Sequence, residues 1–146
     1  MARVAKVIEK RQQLKDEFPF YSRNCLLIRT KDKGLCPFLL NGAQQYIHDK
    51  LQEQIEKTGK VRAIILKGRQ QGVSTYVEGR FLWRTTHNKG VRAFILTHES
   101  ESTNALFEMT ERYYENLPEF VKPSAGAANA KELHFDKLDS GYKVGT

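Results

Sequence analysis

Residues 61–75 read Val-Arg-Ala-Ile-Ile-Leu-Lys-Gly-Arg-Gln-Gln-Gly-Val-Ser-Thr, and this stretch decides the fold. Its first seven residues, Val61 to Lys67, are mostly apolar, which is typical of a buried parallel strand. A helix is predicted from Ser74 to about His87, a second buried strand over 91–97 and a further helix over 101–116. The order strand, glycine-containing loop, helix, strand, helix predicts an α/β protein with parallel strands and right-handed crossovers.

Further elements are predicted on both sides of this stretch. Apolar residues recur on one face of residues 2–18, and lysines and arginines fill the other face, which predicts an amphipathic helix limited by Pro19. Asn41 is a suitable N-cap for a helix over 42–57. Two short alternating segments, 133–138 and 142–144, are separated by Asp-Ser-Gly and predict a C-terminal β-hairpin.

The composition excludes several classes of protein. The chain has 146 residues, of which 40% are hydrophobic and 28% are charged, as in an ordinary globular domain. There is no run of about 18 apolar residues, which excludes a transmembrane helix, and the N-terminus lacks the apolar core of a signal peptide. Cys25 and Cys36 have neither metal-ligand nor CxxC spacing, so we expect reduced thiols in a cytoplasmic protein.

The formal net charge of +7 is distributed unevenly along the chain. Residues 57–92 contain nine basic residues and one acid, Glu78, whereas residues 93–119 contain six acids and one base, Arg112. The basic block indicates a site for a polyanion, either nucleic acid or nucleotide phosphate. The alternative is an ordinary solvated surface, and charge alone favours this alternative.

The loop over 67–75 has several features of a phosphate-binding loop. Such a loop needs a preceding strand, backbone N–H groups that point inward, a following helix N-terminus, a hydroxyl for Mg²⁺ and a cation near the phosphates. Gly72 permits close approach of the backbone, and Ser74 stands where the Mg²⁺ hydroxyl is expected. Val73 replaces the usual lysine, so the cation has to come from Lys67 or Arg69 at the start of the loop.

Two further observations concern this loop. The simpler alternative is a plain strand-to-helix connection in which Gly72 is a turn residue and Ser74 is the N-cap. Gln44 lies upstream, in Leu40-Asn-Gly-Ala-Gln44, and a glutamine can both donate to and accept from an adenine edge. Taken on its own, Gln44 is better described as an ordinary exposed helical residue.

In combination, these segments resemble the large terminase subunit of tailed bacteriophages and prophages. The resemblance depends on Pro37-Phe-Leu-Leu-Asn-Gly-Ala-Gln44 and on Gly68-Arg-Gln-Gln-Gly-Val-Ser-Thr75, and it extends from about Phe20 to Thr146. It implies the N-terminal part of an incomplete, three-layer P-loop NTPase-type α/β fold with parallel strands, followed by the C-terminal β-hairpin. The implied domains are a helical, adenine-binding lead-in over 1–57 and the first part of the ATPase core over 58–146.

The resemblance also implies a function: an ATPase portion that drives DNA into a preformed capsid, with ATP and Mg²⁺ as cofactors. In the family, the residue matching Gln44 contacts adenine. The deviant Walker A loop of the family matches Lys67 to Thr75 and has its basic residue at the front. The resemblance therefore makes Lys67 or Arg69 the phosphate-sensing, catalytic cation and Ser74 a ligand of Mg²⁺. The implied nucleotide-binding residues are Gln44, Lys67, Gly68, Arg69, Gln70, Gln71, Gly72, Val73, Ser74 and Thr75. The implied partners are double-stranded DNA, a small terminase subunit, a portal protein and further copies of the chain in a ring, in the bacterial host cytoplasm and without a membrane.

The sequence lacks the acidic residues that such an ATPase uses for hydrolysis. A Walker B acid and a catalytic glutamate are needed to hold Mg²⁺ and to orient water. Glu99 is the nearest candidate, but it follows the next strand after the loop, where this class of ATPase does not place Walker B. The nuclease domain of the family is also absent from the sequence, and we expect the chain alone not to hydrolyse ATP.

Two other functions are compatible with the same residues. One is a helicase-like ATPase with a glutamine motif that moves on DNA or RNA for another purpose. The other is a non-catalytic, truncated prophage remnant that only binds nucleotide or DNA. The sequence does not distinguish whether Lys67 or Arg69 is the operative cation.

Overall fold

The computed structural model describes residues 2–30, 32–126 and 131–146 and shows a mixed α/β protein with small sheets. In chain order, the described elements are α1 (Ala2–Asp16), α2 (Phe18–Cys25), β1 (Leu27–Thr30), β2 (Gly34–Pro37), α3 (Gly42–Thr58), α4 (Val73–His87), β3 (Arg92–Leu96), α5 (Ser100–Glu115), β4 (Glu132–Phe135) and β5 (Ser140–Gly145). A single 3₁₀ turn over Asp136–Leu138 joins β4 to β5. The mixed α/β class predicted from the sequence is confirmed.

The described strands form two small sheets. In the first, β1 and β2 pair antiparallel, as the hairpin between α2 and α3. In the second, the strand order is β3-β5-β4, with Ala93 of β3 opposite Tyr142 of β5 in parallel and Phe135 of β4 opposite Ser140 in antiparallel register. The predicted C-terminal hairpin is therefore confirmed, and β3 and β5 provide a parallel pair.

The N-terminal helix is shorter than its hydrophobic pattern predicts. α1 ends at Asp16, and Glu17 is extended before α2 begins at Phe18 with Pro19 in its first turn, a position that tolerates a missing N–H. Phe18 is fully buried, as its place on the apolar face predicts. Val4, Val7 and Ile8 at the start of the same helix are exposed, because no described element covers the first turns of α1.

α3 begins and ends where its sequence signals predict. Asn41 is its N-cap, and the Asn41 side chain accepts from the Gln44 N–H while the Gln44 side chain accepts from the Asn41 N–H, which makes a complete capping box. Gly59 ends the helix in the left-handed conformation. α4 likewise agrees with the predicted helix, starting one residue earlier at Val73.

The prediction that residues 61–67 form a buried parallel strand is wrong. The segment is extended but unpaired, and its side chains are exposed, with Ile64 and Leu66 completely so. A strand needs a neighbour for its N–H and C=O groups, and within the described residues β3 pairs with β5 instead. Among the described residues, the backbone of this segment is hydrogen-bonded only by the Gln54 side chain, which accepts from Arg62 N at 2.6 Å and donates to Arg62 O at 3.1 Å.

β3 is a strand, but the prediction that it is buried is also wrong. It lies at the edge of its sheet, and alternate residues face solvent, so Phe94 and Leu96 are exposed while Ala93 and Ile95 pack against the core. An edge strand with one covered face shows this alternation, whereas a strand covered on both faces is apolar throughout. The four consecutive apolar residues from Ala93 to Leu96 do not reveal that one face is uncovered.

The hydrophobic core is built around α4 and is rich in aromatic side chains. Phe18 of α2 packs edge-on against Tyr76 of α4 with ring centroids 5.4 Å apart, and its centroid lies 5.6 Å from that of Trp83. Phe38, which follows β2, stacks on Tyr113 of α5 at 6.3 Å. Aromatic pairs of this kind contribute beyond the area that they bury, and they fix the position of α4 and therefore of the loop that precedes it.

Candidate functional site

The loop over 67–75 begins at an exposed segment and ends in a buried helix. The side chains from Lys67 to Gln71 are exposed. Gln70 and Gly72 both have positive φ, 59° and 72°, so the chain turns twice in the left-handed region before α4 begins at Val73. Glycine adopts this conformation without strain, which explains why Gly72 stands at the N-cap.

Two side chains from the start of α3 hold the loop in place. The Gln44 Nε2 donates to the Gly72 carbonyl at 2.8 Å, and the Asn41 Nδ2 donates to the Gln71 carbonyl at 3.4 Å. The same two residues form the capping box of α3, with both hydrogen bonds at 2.9 Å. The N-termini of α3 and α4 are therefore joined by one network of hydrogen bonds, which we call the Asn41–Gln44 clasp.

The clasp determines which backbone groups of the loop remain available. A trans peptide directs its N–H opposite to its C=O, and the described chain contains no cis peptide. Because the carbonyls of Gln71 and Gly72 are directed at the clasp, the N–H groups of Gly72 and Val73 are directed away from it. The first N–H groups of a helix have no partner within the helix, so the end of the loop presents donors on its open side while the carbonyls of Gln71 and Gly72 are occupied.

Gly72 fits the clasp so closely that a side chain in place of its hydrogen would displace the Gln44 carboxamide. A Cβ at this position would lie 2.6 Å from Gln44 Nε2 and 3.4 Å from Asn41 Nδ2. In proteins, a Cβ atom essentially never comes within 3.0 Å of a heavy atom that belongs to a residue beyond its own chain neighbours. Gly72 is thus required both by its backbone conformation and by the space that Gln44 leaves.

The cations of the site lie before the loop and not in the first turn of α4. Val73, at the position of the usual P-loop lysine, is buried, so a long cationic side chain has no room there. Lys67 and Arg69 are exposed, and neither takes part in an ion pair with another described residue. Their charges are therefore available to an anion at the loop.

Two hydroxyl residues begin α4. Ser74 is exposed and lies inside the first turn of α4, because the N-cap of this helix is Gly72. The interpretation of Ser74 as the N-cap is therefore wrong. Thr75 is half-buried, and its carbonyl accepts from the Tyr113 hydroxyl of α5 at 3.3 Å. The Ser74 hydroxyl can serve as one oxygen ligand of Mg²⁺, with nucleotide phosphates supplying others; the described residues contain no group of three or more His, Cys, Asp or Glu side chains that could hold a metal by themselves.

A cavity of about 490 Å³ lies beside the loop, between α3 and the extended segment. Lys67, Gly68 and Gln71 line its loop side, and Tyr46 and Ala43 line its α3 side. This volume lies within the range of small-molecule sites. Tyr46 is 65% exposed and thus offers a free ring face.

The structure gives Gln44 a role that the sequence pattern does not suggest. It is buried, and its carboxamide already donates to Gly72 O and accepts from Asn41 N. The interpretation of Gln44 as an ordinary exposed helical residue is wrong. A carboxamide has two donor hydrogens and two acceptor lone pairs, so the predicted contact with adenine stays a prediction that uses the remaining capacity of Gln44.

A buried polar cluster joins α3 to α4, and sequence reasoning missed it. His48 and Gln52 of α3 face Tyr76 and Arg80 of α4, and the Arg80 guanidinium donates to all three of its neighbours at 2.9–3.0 Å. Burial and the Arg80 charge lower the pKa of His48 to about 4. The signal in the sequence is a pair of polar residues four apart on each helix, a spacing that places both members of a pair on one helix face.

The one acid of the basic block is buried. Glu78 of α4 accepts from the Thr110 hydroxyl at 2.6 Å and from the Tyr142 hydroxyl, and burial raises its pKa. Of the nine cations over 57–92, all except Arg80 are exposed. Two of these cations, Lys67 and Arg69, belong to the loop, whereas Lys57 and Arg92 form ion pairs with Glu53 and Asp139.

Comparison of the chain with protein-family models finds no match, and no curated protein compared with it matches either. None of the described helices is both long enough and apolar enough to cross a membrane.

Glu99 is exposed at the N-cap of α5, where its side chain accepts from the Ser102 hydroxyl at 3.3 Å.

Proposed function

We propose that the chain is the N-terminal ATP-binding part of a DNA-packaging terminase motor, and that the loop over 67–75 binds the nucleotide phosphates. The proposal rests on which hydrogen-bonding groups of the loop are occupied and which are available. The Asn41–Gln44 clasp occupies the carbonyls of Gln71 and Gly72, and the N–H groups at the start of α4 are left for an anion. The positive end of the α4 macrodipole acts in the same direction.

The other predicted groups have positions consistent with this proposal. Lys67 and Arg69 supply charge at the start of the loop, and the exposed Ser74 hydroxyl lies in the first turn of α4. The cavity of about 490 Å³ between Tyr46 and Lys67 has room for a nucleoside beside the phosphates. The three-layer P-loop fold belongs to the same proposal, and the parallel pairing of β3 with β5 supports it.

The partners follow from the same proposal. Double-stranded DNA is the polyanion that the exposed basic residues over 57–92 attract, and such attraction is independent of sequence and decreases with salt. A small terminase subunit, a portal protein and a ring of further copies complete the motor. ATP and Mg²⁺ are its cofactors.

The test is the affinity of the chain for a non-hydrolysable ATP analogue with Mg²⁺, measured by isothermal titration calorimetry. We expect Lys67→Ala or Arg69→Ala to weaken binding by about tenfold, the effect of losing one charge-assisted phosphate contact. Lys89→Ala is the control, because Lys89 is exposed and lies after α4, away from the loop. Unchanged affinity in both loop variants would show that the loop does not bind phosphate.

A further inference from the structure

Arg80 is a buried cation whose partners are all neutral. The residue is only 8% exposed. Its guanidinium donates to His48 Nδ1 at 3.0 Å, to the Tyr76 hydroxyl at 2.9 Å and to Gln52 Oε1 at 2.9 Å. It also lies 6.0 Å from the centroid of the Trp83 ring, at the outer limit of a cation–π contact.

No carboxylate offsets this charge within the described part of the chain. Arg80 takes part in none of the ion pairs there. Asp49 acts on His48 through its charge, but the Asp49 carboxylate accepts from Gln45 at 2.8 Å and is not within ion-pair distance of Arg80. A buried charge without an opposite charge is unfavourable, and an anionic ligand would offset that cost.

Arg80 lines a groove of about 620 Å³ between the end of α1, α3, α4 and residues 59–65. Lys15, Lys60 and Arg84 also line the groove, and Asp16 is its one acidic residue. None of these three cations forms an ion pair with a described residue. The groove thus combines one buried and three exposed cations, and their charges exceed that of its single carboxylate.

Much of the remaining wall of the groove is apolar, although Gln52, Tyr76 and Asn88 also line it. Leu51 and Ile55 of α3, Ile65 of the extended segment and Phe81 of α4 line it, together with Trp83. The residues of the loop over 67–75 do not line it. The groove shares Leu51, Ala63 and Ile65 with the cavity beside the loop, but its cations are not those of the loop, and it suits a ligand that is anionic at one end and apolar at the other.

We propose that this groove binds a small organic phosphate, with the phosphate group between Arg80 and the rim cations Lys60 and Arg84. A guanidinium matches the geometry of phosphate oxygens with two parallel hydrogen bonds, and several cations suit a dianion better than a monocarboxylate. The volume is that of a small-molecule site. Arg80 is buried too deeply for the backbone of a DNA duplex, which would reach only the exposed rim.

The only tryptophan of the chain, Trp83, reports on this groove. We expect phenyl phosphate to change Trp83 fluorescence saturably and to bind more tightly than inorganic phosphate, because its ring buries against the apolar walls. Arg84→Ala is expected to weaken phenyl phosphate binding by about tenfold. Arg80→Lys, which keeps the charge but not the planar guanidinium, is expected to weaken it as well.

Two controls separate the groove from the rest of the surface. Lys89→Ala removes a cation that does not line the groove, and the double variant Lys67→Ala/Arg69→Ala removes the loop cations; both are expected to bind phenyl phosphate like the unaltered chain. Near-ultraviolet circular dichroism checks the fold of each variant. If Arg80→Lys does not fold, the phenyl phosphate affinity of the exposed-site variant Arg84→Ala tests the proposal.

Three results would overturn the proposal. One is the absence of a saturable change with phenyl phosphate. Another is equal affinity in Arg84→Ala and Lys89→Ala, which would show that the groove cations are not involved. The third is a saturable change with a short DNA duplex but not with phenyl phosphate, which would make the groove a nucleic-acid surface.

Discussion

Gly72→Ala is expected to lower the free energy of unfolding by about 3 kcal/mol and to weaken binding of the ATP analogue by at least about tenfold. Two costs add: the left-handed conformation at φ 72°, and the expulsion of the Gln44 carboxamide, which lies 2.6 Å from the new Cβ. Once Gln44 moves, its hydrogen bonds to Gly72 O and Asn41 N are lost. Urea denaturation and calorimetric titration measure the two effects.

Gly59→Ala is the matched control for this substitution. Gly59 has almost the same φ, 68°, but an added Cβ would meet nothing within 4 Å. It therefore reports the conformational cost alone, about 1 kcal/mol. The excess in Gly72→Ala measures the clash with the clasp, and adding Gln44→Ala to Gly72→Ala should recover part of that excess. Equal losses in Gly59→Ala and Gly72→Ala would show that the clasp does not hold the loop.

The second large effect concerns pH. His48 has a pKa of about 4 in the folded chain against an ordinary value of 6.5. Between these values the unfolded chain binds more protons than the folded chain, so stability falls as the pH falls from about 6.5 toward 4. We expect His48 to account for a loss of roughly 3 kcal/mol over this range, seen in denaturation curves at several pH values.

His48→Asn isolates this contribution, because its Oδ1 retains an acceptor for Arg80 but does not titrate. His87 acts in the same direction as His48, since burial lowers its pKa too, and Glu78 acts in the opposite direction, since burial raises its pKa. Both remain in the variant, so the difference between the two pH profiles belongs to His48. The same substitution at the exposed His98 serves as the comparison. A pH profile in His48→Asn as steep as that of the unaltered chain would contradict the prediction.

Local signals in the sequence predict the parts of the fold that local chemistry determines. Asn41 and Gly59 bound α3 as expected, because a side-chain cap and a left-handed glycine act within a few residues. The left-handed Gly72 and the helix that follows the loop agree with the sequence for the same reason. The β4–β5 hairpin is also local, but its turn is Asp136–Leu138 with a left-handed Asp139, and Ser140 and Gly141 of the predicted turn belong to β5.

Strand pairing and burial depend on residues that are distant in the sequence, and the predictions of both from local patterns are wrong at two predicted strands. Residues 61–67 have the composition of a strand, but pairing requires a partner that no local pattern specifies. The apolar run of β3 does not show that only one of its faces is covered. Likewise, the link between Gln44 and Gly72 spans 28 residues, so the sequence places a glutamine before the loop without showing that it holds the loop.

The loop over 67–75 has two unequal supports. Residues 61–67 precede the loop, on its leading side, and among the described residues their backbone is hydrogen-bonded only at Arg62, by Gln54. The buried helix α4 follows the loop. Amide hydrogens of the leading side therefore exchange rapidly with solvent, whereas those of α4 exchange only through larger unfolding events. A ligand that immobilises Lys67 also removes conformational entropy from the residues before it, which opposes a favourable binding enthalpy. The nucleotide affinity of this chain thus depends on how far residues 61–67 are already ordered, as well as on the contacts that the phosphates make.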